Sequence, residues 1–544
     1  MTKVAIIGCG ISGICAARAC IEHHLHFTVY DRRTLPGGIW STQNTPVFDN
    51  LTTNTPCFDM FMSDLIPKRI TKSSTGPHDD LCVSKQEMFD YLCSALNHTP
   101  HLADHVIFGA TVTSVQRLPN SPQPRFQLCY EKDSVPSIQI FDHVMVATGV
   151  FDNPFIPTPQ QLPGIDTYAS PTMHVSDYKT PSQLQGKRVL VVGGSHSALE
   201  AVADMLSAPQ GTGPSHVTVS TRVMRQIMVK QIAGRALCAD YSTRYALLRT
   251  LADRMTPEQL LREMSLFNVD HRQIHAPAPN VPLIIPPFLG FTVVKGSLVD
   301  AAKGGHRLSW HVGGIKALTQ HGVQFVDGTC DQFDTIVFAT GYRTKVPCLS
   351  KDIQHVITPQ DGSNVLELYD YTFHPDLPGM SFIGLFAPGT SCIPMHDNQA
   401  RWVAATIAGE IPMVPPEEMR KGIDNSKQLR KQRKFIELTL GFRVLDLFAK
   451  HGGFDVDLGK YPQLTKALIF GPLSPSQYRM FGRGKLQSAK HEFEKQITAY
   501  WQEVGDNTVL AEKLEELKAV TEVLEKKGIA PTGLRQAVSV LRAS

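Results

Sequence analysis

The chain has 544 residues, enough for about three to four domains, and its hydrophobic fraction of 42% is that of an ordinary globular protein. A net charge of +3 without a basic stripe gives no electrostatic reason to expect nucleic acid. No apolar run approaches the roughly 20 residues of a transmembrane helix, so we expect a cytoplasmic protein without a membrane span. The eleven cysteines form no Cys-x-x-Cys pair, so the sequence predicts neither a metal site nor a thioredoxin-like redox centre.

The first predicted element is a strand at residues 4–7 that runs directly into a glycine-rich turn. Gly8 permits the tight turn, Gly10 leaves room for a pyrophosphate, and Gly13 lets the following helix pack closely on the strand. The N-terminus of that helix then faces the phosphates. Asp31 ends the second predicted strand, where an acidic side chain binds a ribose hydroxyl. Together these features predict a dinucleotide site, whereas a glycine turn alone can serve packing.

Three features that follow are candidates for the same site. Gly38 belongs to a glycine pair that lets the backbone turn close to a ligand, and Trp40 follows it. The alternative is a loop with an aromatic anchor. Asn54 follows two threonines and precedes a proline-enforced bend, where its amide could face a cavity. A predicted strand at 141–146 leads into Ala-Thr-Gly at 147–149, which contains Thr148, as expected of a strand that ends under a nucleotide.

The pattern of strand, turn and helix returns in the middle of the chain. A strand at 188–192 leads into Gly193, and Ala198 takes the last glycine position, where alanine is allowed. Ser195 replaces the middle glycine and adds a hydroxymethyl group where a pyrophosphate would pass. We therefore expect a second nucleotide site with an imperfect fingerprint.

The end of the next strand indicates which nucleotide the second site binds. A strand at 216–219 ends in Ser220, Thr221 and Arg222, without an acidic residue. An acid would hold a free ribose hydroxyl and repel a phosphate, whereas an arginine favours a 2′-phosphate. The sequence thus predicts NADPH rather than NADH, and the alternative is an ordinary surface arginine.

A later strand also ends in Ala-Thr-Gly, with Thr340 and Gly341, and this repetition indicates that the chain leaves one nucleotide domain, builds another and returns. We place Gln399 in the first turn of a following helix whose N-terminus could point at the first nucleotide. Beyond about residue 420 the apolar spacing is helical. The predicted segments are the first nucleotide domain in two parts, an inserted second domain and a mostly helical C-terminal extension, at residues 1–155 with 334–420, 156–333 and 421–544.

Taken in this order, the two fingerprints, the Gly-Gly-Ile-Trp loop, Thr53-Asn54 and the Ala-Thr-Gly-Tyr and Gln-Ala-Arg-Trp segments resemble the flavin-containing monooxygenase family over about residues 1–410. That family carries the linker motif Phe-x-Gly-x-x-x-His-x-x-x-Tyr between its fingerprints. Here His174 and Tyr178 match the motif, whereas Tyr168 and Ser170 depart from it. Baeyer–Villiger relatives usually end the motif with tryptophan, so Tyr178 favours the branch that oxygenates amines and sulfides.

The resemblance implies an α/β fold with two Rossmann-like dinucleotide-binding domains, an FAD domain with an inserted NADPH domain, plus a helical C-terminal extension. It also implies that NADPH reduces FAD, that O2 adds at the flavin C4a, and that the C4a-hydroperoxyflavin passes one oxygen to an amine nitrogen or a sulfide sulfur. By similarity, Asn54 would be the catalytic residue that hydrogen-bonds near the adduct and NADP⁺. Gln399 would lie beside the flavin, and His174 would belong to the linker.

The partners implied are a small-molecule substrate and O2, and a homo-oligomer is compatible with the sequence. Two alternatives stay open. One is a Baeyer–Villiger monooxygenase that acts on a ketone. The other is a flavin-binding protein without turnover, which the departure at Ser195 would explain.

Overall fold

The structure is a computed structural model, and it describes the following residues: 2–67, 81–119, 123–232, 235–236, 243–255, 259, 263, 267–280, 291–294, 297–303, 307–387, 391–431, 441–504 and 511–543. In chain order, the strands are Lys3–Ile7 (β1), His26–Asp31 (β2), Thr52–Pro56 (β3), Cys82–Ser84 (β4), Val106–Phe108 (β5), Ala110–Arg117 (β6), Phe126–Lys132 (β7), Val135–Phe141 (β8), His143–Val146 (β9), Thr172–His174 (β10), Arg188–Val192 (β11), His216–Thr221 (β12), Gln226–Val229 (β13), Gln231–Ile232 (β14), Arg235–Ala236 (β15), Phe291–Val294 (β16), Leu308–Val312 (β17), Ile315–Leu318 (β18), Val323–Phe325 (β19), Cys330–Asp331 (β20), Thr335–Phe338 (β21) and Met380–Phe382 (β22).

The α-helices are Ile11–Glu22 (α1), Lys85–His98 (α2), His196–Ser207 (α3), Arg244–Leu251 (α4), Ser297–Lys303 (α5), Lys351–Ile357 (α6), Cys392–Ile407 (α7), Pro416–Lys431 (α8), Gly441–Gly452 (α9), Thr465–Phe470 (α10), Ala489–Val504 (α11), Ala511–Lys526 (α12) and Leu534–Ala543 (α13). Both predicted fingerprint helices, α1 and α3, form directly after their glycine turns.

The first sheet has five parallel strands in the order β22-β9-β1-β2-β5. Ile7 at the end of β1 is level with Tyr30 of β2 and Val146 of β9. Because the carboxyl ends of these strands align, the turn at Gly8, the acid Asp31 and the Ala-Thr-Gly segment meet at one edge of the sheet.

The second sheet repeats this arrangement, with five parallel strands in the order β10-β21-β11-β12-β17. Each five-stranded sheet has a three-stranded antiparallel sheet at the matching place in the chain, β6-β7-β8 in the first unit and β18-β19-β20 in the second. The α/β fold with two Rossmann-like units is therefore confirmed.

Strand β21 belongs to the second sheet, which corrects one detail of the predicted organisation. The sequence placed it at the start of 334–420, in the returning part of the first domain. The structure pairs Val192 of β11 with Phe338 of β21, so a boundary at 333/334 would cut the second sheet. The return to the first sheet comes with β22, which pairs with β9.

Two large apolar cores lie beside these sheets, and the C-terminal helices share the first of them. Phe448 of α9, Leu468 of α10, Phe493 of α11 and Leu541 of α13 are buried in the same cluster as Val4 of β1. Helix α4 contributes to this cluster as well, although it lies within the segment predicted as the second domain. Among the described residues, no helix is both long and apolar enough to cross a membrane.

Candidate functional site

The first glycine turn has the geometry that its fingerprint predicts. Gly8 has a φ of +106°, and a Cβ there would lie 2.5 Å from the Ala147 carbonyl oxygen. A Cβ on Gly13 would lie 1.8 Å from the Gly8 oxygen, so helix α1 approaches β1 more closely than any side chain allows. Gly10 caps the helix N-terminus. The turn thus leaves exposed N–H groups at the helix N-terminus, where an anion is stabilised.

A cavity of about 930 Å³ opens above this turn. It is bordered by six of the residues predicted for the first nucleotide: Gly8, Gly10, Asp31, Gly38, Trp40 and Thr148. Asn54 also borders it, as does Ser195 of the second fingerprint. The cavity therefore extends from the first glycine turn to the N-terminus of α3, with Asn54 on its wall.

Asp31 is held at the cavity rim by two backbone groups. Its Oδ2 accepts a hydrogen bond from the Cys9 N–H at 2.6 Å, and its Oδ1 accepts one from the Arg33 N–H at 2.8 Å. Burial raises the pKa of this carboxyl group, and the two backbone bonds oppose that shift. Because each carboxylate oxygen has a second lone pair, Asp31 can still accept from a ribose hydroxyl.

Asn54 lies in β3, which pairs with β4 in a short antiparallel ladder. The neighbouring Thr53 hydroxyl donates to the Thr55 carbonyl oxygen at 2.6 Å and accepts from the Val83 N–H at 2.9 Å. These bonds hold the backbone of β3 beside Asn54, which borders the cavity.

The second glycine turn mirrors the first. Gly193 has a φ of +139°, and a Cβ there would lie 2.5 Å from the Ala339 carbonyl oxygen. Ser195 is the N-cap of α3, but its hydroxyl makes no capping bond and is exposed at the cavity. The hydroxymethyl group thus lies at the N-terminus of α3, the helix end at which the sequence predicts the second nucleotide.

The remaining residues predicted for the second nucleotide do not border this cavity. Ser220 and Thr221 are buried at the end of β12, and Arg222 is exposed beyond it. Burial lowers the pKa of the nearby Arg225, and the positive charge of Arg222 lowers it further. Two guanidinium groups close enough to repel each other favour an anion at the end of β12. Gly193, Thr340 and Gly341 are also absent from the cavity wall.

Gln399 is not where the sequence placed it. Helix α7 begins at Cys392, so Gln399 lies about two turns into it rather than in its first turn. Its amide is completely buried, donating to the Thr372 hydroxyl at 2.8 Å and accepting from the Gly384 N–H at 2.9 Å. The helix starts early because Pro394 lies in the first turn, where no backbone N–H is needed. Gln399 does not border the cavity and instead ties α7 to the sheet.

The linker residues make structural contacts. Tyr168 donates its hydroxyl to the Phe333 carbonyl oxygen at 3.1 Å. His174 lies 3.1 Å from the Gly341 carbonyl oxygen through Nε2, and its Nδ1 accepts from the Ser176 N–H. Burial lowers the pKa of His174, which favours its neutral form. His174 therefore fastens the linker to the Ala-Thr-Gly turn of the second unit.

The family of the chain follows from comparison with known proteins. Residues 1–506 match the model of the flavin-binding monooxygenase-like family. The chain belongs to this family. It is a flavin-dependent monooxygenase, and a flavin is its cofactor.

Curated relatives extend over most of the enzyme. The N-oxide-forming dimethylaniline monooxygenase 2 of Cavia porcellus is 26% identical over 514 residues, covering 90% of each chain. Flavin-containing monooxygenase 2 of Homo sapiens is 26% identical over 520 residues, again with 90% of each chain covered.

Solved structures share the fold. S-allyl-L-cysteine S-oxygenase from Allium sativum superposes with a TM-score of 0.59 at 18% identity, covering 96% of this chain and 99% of that one. A cyclohexanone monooxygenase bound to epsilon-caprolactone gives a TM-score of 0.57 at 17% identity, covering 82% and 97%. At these identities the likeness concerns the fold alone.

A contact that sequence patterns do not indicate joins β3, the strand of Asn54, to the second unit of the enzyme. Lys230 is buried, and its Nζ donates to Glu200 Oε2 at 2.8 Å. The same Nζ donates to the carbonyl oxygen of Thr52 at 2.9 Å and to its hydroxyl at 3.0 Å. Since Glu200 lies on α3 and Thr52 on β3, one buried ammonium group bridges the two units.

A second contact reinforces this bridge one helical turn later on α3. Asp204 accepts from the Asn50 amide at 2.9 Å and from the Tyr178 hydroxyl at 2.6 Å. Tyr178, predicted as part of the linker motif, is completely buried in the core of the second unit. Helix α3, which follows the second glycine turn, is thus anchored to the segment that carries Asn54.

His396 is another site residue that the sequence did not indicate. It lies on α7, borders the cavity and is only 6% exposed. Its Nδ1 is 3.1 Å from the Ser12 hydroxyl, and its buried Nε2 has no hydrogen-bond partner within the described part of the chain. Burial lowers the pKa of His396 to about 4. No sequence signal marks this histidine, because its role depends on a contact between α1 and α7.

Proposed function

We propose that this monooxygenase uses FAD and NADPH and transfers one oxygen atom of O2 to a soft nucleophile, an amine nitrogen or a sulfide sulfur. The observation that carries the proposal is the cavity that reaches from Gly8 and Asp31, past Asn54, to Ser195. An enzyme in which one nucleotide reduces another needs both in a single enclosed space. The cavity volume of about 930 Å³ is in the upper part of the range for small-molecule and cofactor sites.

The residues present fit a flavin dinucleotide in the first unit. The turn at Gly8 and Gly10 leaves space and backbone N–H groups for a pyrophosphate. Asp31 is fixed where a ribose hydroxyl can donate to it. At the end of β12, Arg222 beside Arg225 supports a 2′-phosphate and hence NADPH rather than NADH.

The balanced reaction consumes NADPH, one proton, O2 and the substrate, and yields the oxygenated substrate, NADP⁺ and water. NADPH supplies two electrons as a hydride, one oxygen atom forms a bond to nitrogen or sulfur, and the other leaves as water. The bound flavin supplies the redox chemistry and activates the oxygen. Without transfer to a substrate, the same two electrons reduce O2 to hydrogen peroxide.

The protein must hold both nucleotides in place and keep water out until the substrate arrives. Asn54 suits this task, because an amide can donate and accept hydrogen bonds without a change of charge. The two threonines beside it, Thr52 and Thr53, are bonded to the second unit and to β4 respectively. These contacts support a role for Asn54 between the two proposed nucleotide sites.

The substrate class follows the names of the relatives. The Cavia porcellus relative is named for the N-oxide of dimethylaniline, and the Allium sativum structure for S-oxygenation of S-allyl-L-cysteine. Amines and sulfides attack the activated oxygen with their own lone pairs, so no general base is required. The cavity wall accordingly needs binding groups rather than a catalytic triad.

The second candidate is a Baeyer–Villiger oxygenase, because cyclohexanone monooxygenase has the same fold. A third is a flavin-binding protein without turnover, because Ser195 is exposed where the second pyrophosphate would pass.

Anaerobic mixing with NADPH separates the third candidate from the other two. We expect the yellow colour of the flavin to bleach, and a protein that stays yellow has no NADPH-driven turnover.

A substrate panel then separates the first two readings. Dimethylaniline, an allyl sulfide and cyclohexanone are each incubated with NADPH and air, and the products are measured by mass spectrometry. We expect an N-oxide or a sulfoxide. A lactone as the sole product would favour the Baeyer–Villiger reading and contradict the proposal.

A further inference from the structure

His396 combines burial with an unused hydrogen-bonding atom at the cavity wall. It lies on α7 one turn after Cys392, and both side chains border the cavity. The Nε2 atom of His396 is buried and has no partner among the described residues. Buried polar atoms of folded proteins nearly always have a hydrogen-bond partner, so an unpaired one beside a cavity points to a ligand.

The other ring nitrogen is already occupied, and this contact orients the ring. The Ser12 hydroxyl lies 3.1 Å from His396 Nδ1. When Ser12 donates this bond, the ring proton lies on Nε2, which then can only donate. Ser12 belongs to the first turn of α1, two positions after Gly10. In that tautomer the Nε2–H lies close to the helix end at which the sequence predicts the pyrophosphate.

The neighbouring backbone confines the ring. Gly384 has a φ of +68°, and a Cβ there would lie 2.1 Å from the Ser12 hydroxyl and 2.7 Å from His396 Cε1. A side chain at this position would therefore displace the pair. Because burial lowers the pKa of His396 to about 4, the ring is neutral near pH 7 and can donate without adding a charge.

We propose that His396 is a flavin-binding residue: Ser12 holds its Nδ1, and its Nε2–H donates a hydrogen bond to an oxygen atom of the bound flavin nucleotide. The proposal rests on the proposed function only in that a flavin nucleotide occupies the cavity. It does not depend on the substrate, on NADPH or on the fate of oxygen.

The enzyme contains a matched histidine for comparison. His143 lies in β9 of the first sheet and is also buried, and its pKa is lowered by burial to about 3. Its Nε2 lies 3.1 Å from the Ser381 hydroxyl, and it does not border the cavity. His143 is thus a buried neutral histidine whose Nε2 already has a partner within the protein.

The test uses amides of two lengths, since an asparagine amide lies near the position of Nδ1 and a glutamine amide near that of Nε2. His396→Asn keeps the contact with Ser12 and loses the donor at the cavity, whereas His396→Gln keeps that donor. We titrate the flavin-depleted wild type, both variants and the control His143→Asn with FAD and determine each Kd. We expect a Kd raised roughly ten- to a hundredfold in His396→Asn, the range of a hydrogen bond to a charged acceptor.

His396→Gln and His143→Asn should both stay within about threefold of the wild type. Wild-type affinity in His396→Asn would overturn the proposal. Equal losses in His396→Asn and His396→Gln would also overturn it, because the effect would then come from packing. If His143→Asn lost as much affinity for FAD as His396→Asn, the proposal would also be overturned, because His143 does not border the cavity.

A spectroscopic measurement keeps the proposal testable if a variant fails to fold. In ¹⁵N-histidine-labelled holoenzyme we expect His396 as the Nε2–H tautomer, with a proton resonance that moves when FAD is removed. An Nδ1–H tautomer, or a resonance unchanged by FAD, would contradict the proposal. A wild-type protein that binds no flavin would instead contradict the proposed function.

Discussion

The two nucleotide units of this monooxygenase are built alike and differ where they meet their ligands. Gly8 and Gly193 both have positive φ values, and each would place a Cβ 2.5 Å from the carbonyl oxygen of the alanine in the adjacent Ala-Thr-Gly turn. The strand orders β22-β9-β1-β2-β5 and β10-β21-β11-β12-β17 correspond one to one. The backbone scaffold is therefore the shared element, and side chains at a few positions distinguish the units.

Those positions are the middle glycine of each turn, where the second unit has Ser195, the last glycine, and the end of the second strand. Gly13 has no room for a Cβ, whereas the second unit carries Ala198 there, completely buried. Asp31 ends β2, whereas Arg222 follows β12. In the proposed function, the charge at this strand end decides whether the scaffold binds a free ribose hydroxyl, at Asp31, or a 2′-phosphate, at Arg222.

We expect the largest loss of stability from removing Lys230, whose ammonium group joins the two units. Lys230→Met leaves Glu200 buried without its ammonium partner, which costs about 3–5 kcal/mol. We expect the free energy of unfolding in urea to fall by that amount. The double variant Lys230→Met/Glu200→Leu should recover most of the loss, because an apolar pair of similar volume needs no charge compensation. Equal stabilities of the wild type and Lys230→Met would show that the bridge is not formed.

Substitutions at the last position of each glycine turn, Gly13 and Ala198, test whether strand and helix pack more closely in the first unit than in the second. In Gly13→Ala the new Cβ would meet the Gly8 carbonyl oxygen, so β1 and α1 must separate. We expect a loss of about 1–3 kcal/mol of stability, together with most of the bound flavin. Ala198→Gly should cost no more than about 1 kcal/mol and leave the flavin in place. Thermal unfolding measures the stability, and the flavin absorbance per protein measures the bound flavin. Similar losses in Gly13→Ala and Ala198→Gly would show that the two turns pack alike.

Asp31 at the end of β2 is acidic, whereas Arg222 after β12 is basic, and substitution of Arg222 tests the effect of this difference. Arg222→Ala removes a charge-assisted hydrogen bond to the 2′-phosphate, which is worth roughly 1.5–3 kcal/mol, or about ten- to a hundredfold in affinity. We expect the KM for NADPH to rise accordingly and the KM for NADH to change little. If both KM values rose equally, Arg222 would not be the residue that recognises the phosphate.

The position of Asn54 between the units predicts an effect on coupling rather than on stability. Asn54→Ala should still oxidise NADPH, with more hydrogen peroxide and less oxygenated product per NADPH. A several-fold rise in the peroxide fraction, measured with a peroxidase assay, is the expected result. A variant with reduced thermal stability but an unchanged peroxide fraction would assign Asn54 a purely structural role.

The sequence predicted the features that depend on neighbouring residues. Gly8, Gly10, Asp31 and Thr148 all border the cavity, because strand, turn and helix form from one continuous segment. The α/β class and its two Rossmann-like units followed from the same local pattern. The assignment of β21 to the wrong unit has a related cause: both units contain a strand that ends in Ala-Thr-Gly, and only pairing distinguishes them.

Features that depend on distant segments were not predictable. Lys230 and Thr52 are 178 positions apart, and Ser12 and His396 are 384 apart. Charge and polarity along the chain do not reveal such pairs. The position of Gln399 was predicted wrongly for a different reason. The prediction depended on where the helix begins, and α7 begins at Cys392, seven residues before Gln399.

The source of the oxygen atom in the product tests most directly whether the enzyme transfers oxygen from O2 to an amine or a sulfide. The holoenzyme is incubated with NADPH, a sulfide or tertiary amine and ¹⁸O2 in ordinary water, and the product is analysed by mass spectrometry together with the NADPH consumed. We predict one ¹⁸O atom in each product molecule and close to one product per NADPH. An unlabelled product, or NADPH oxidation that yields only hydrogen peroxide with every amine and sulfide offered, would contradict the account.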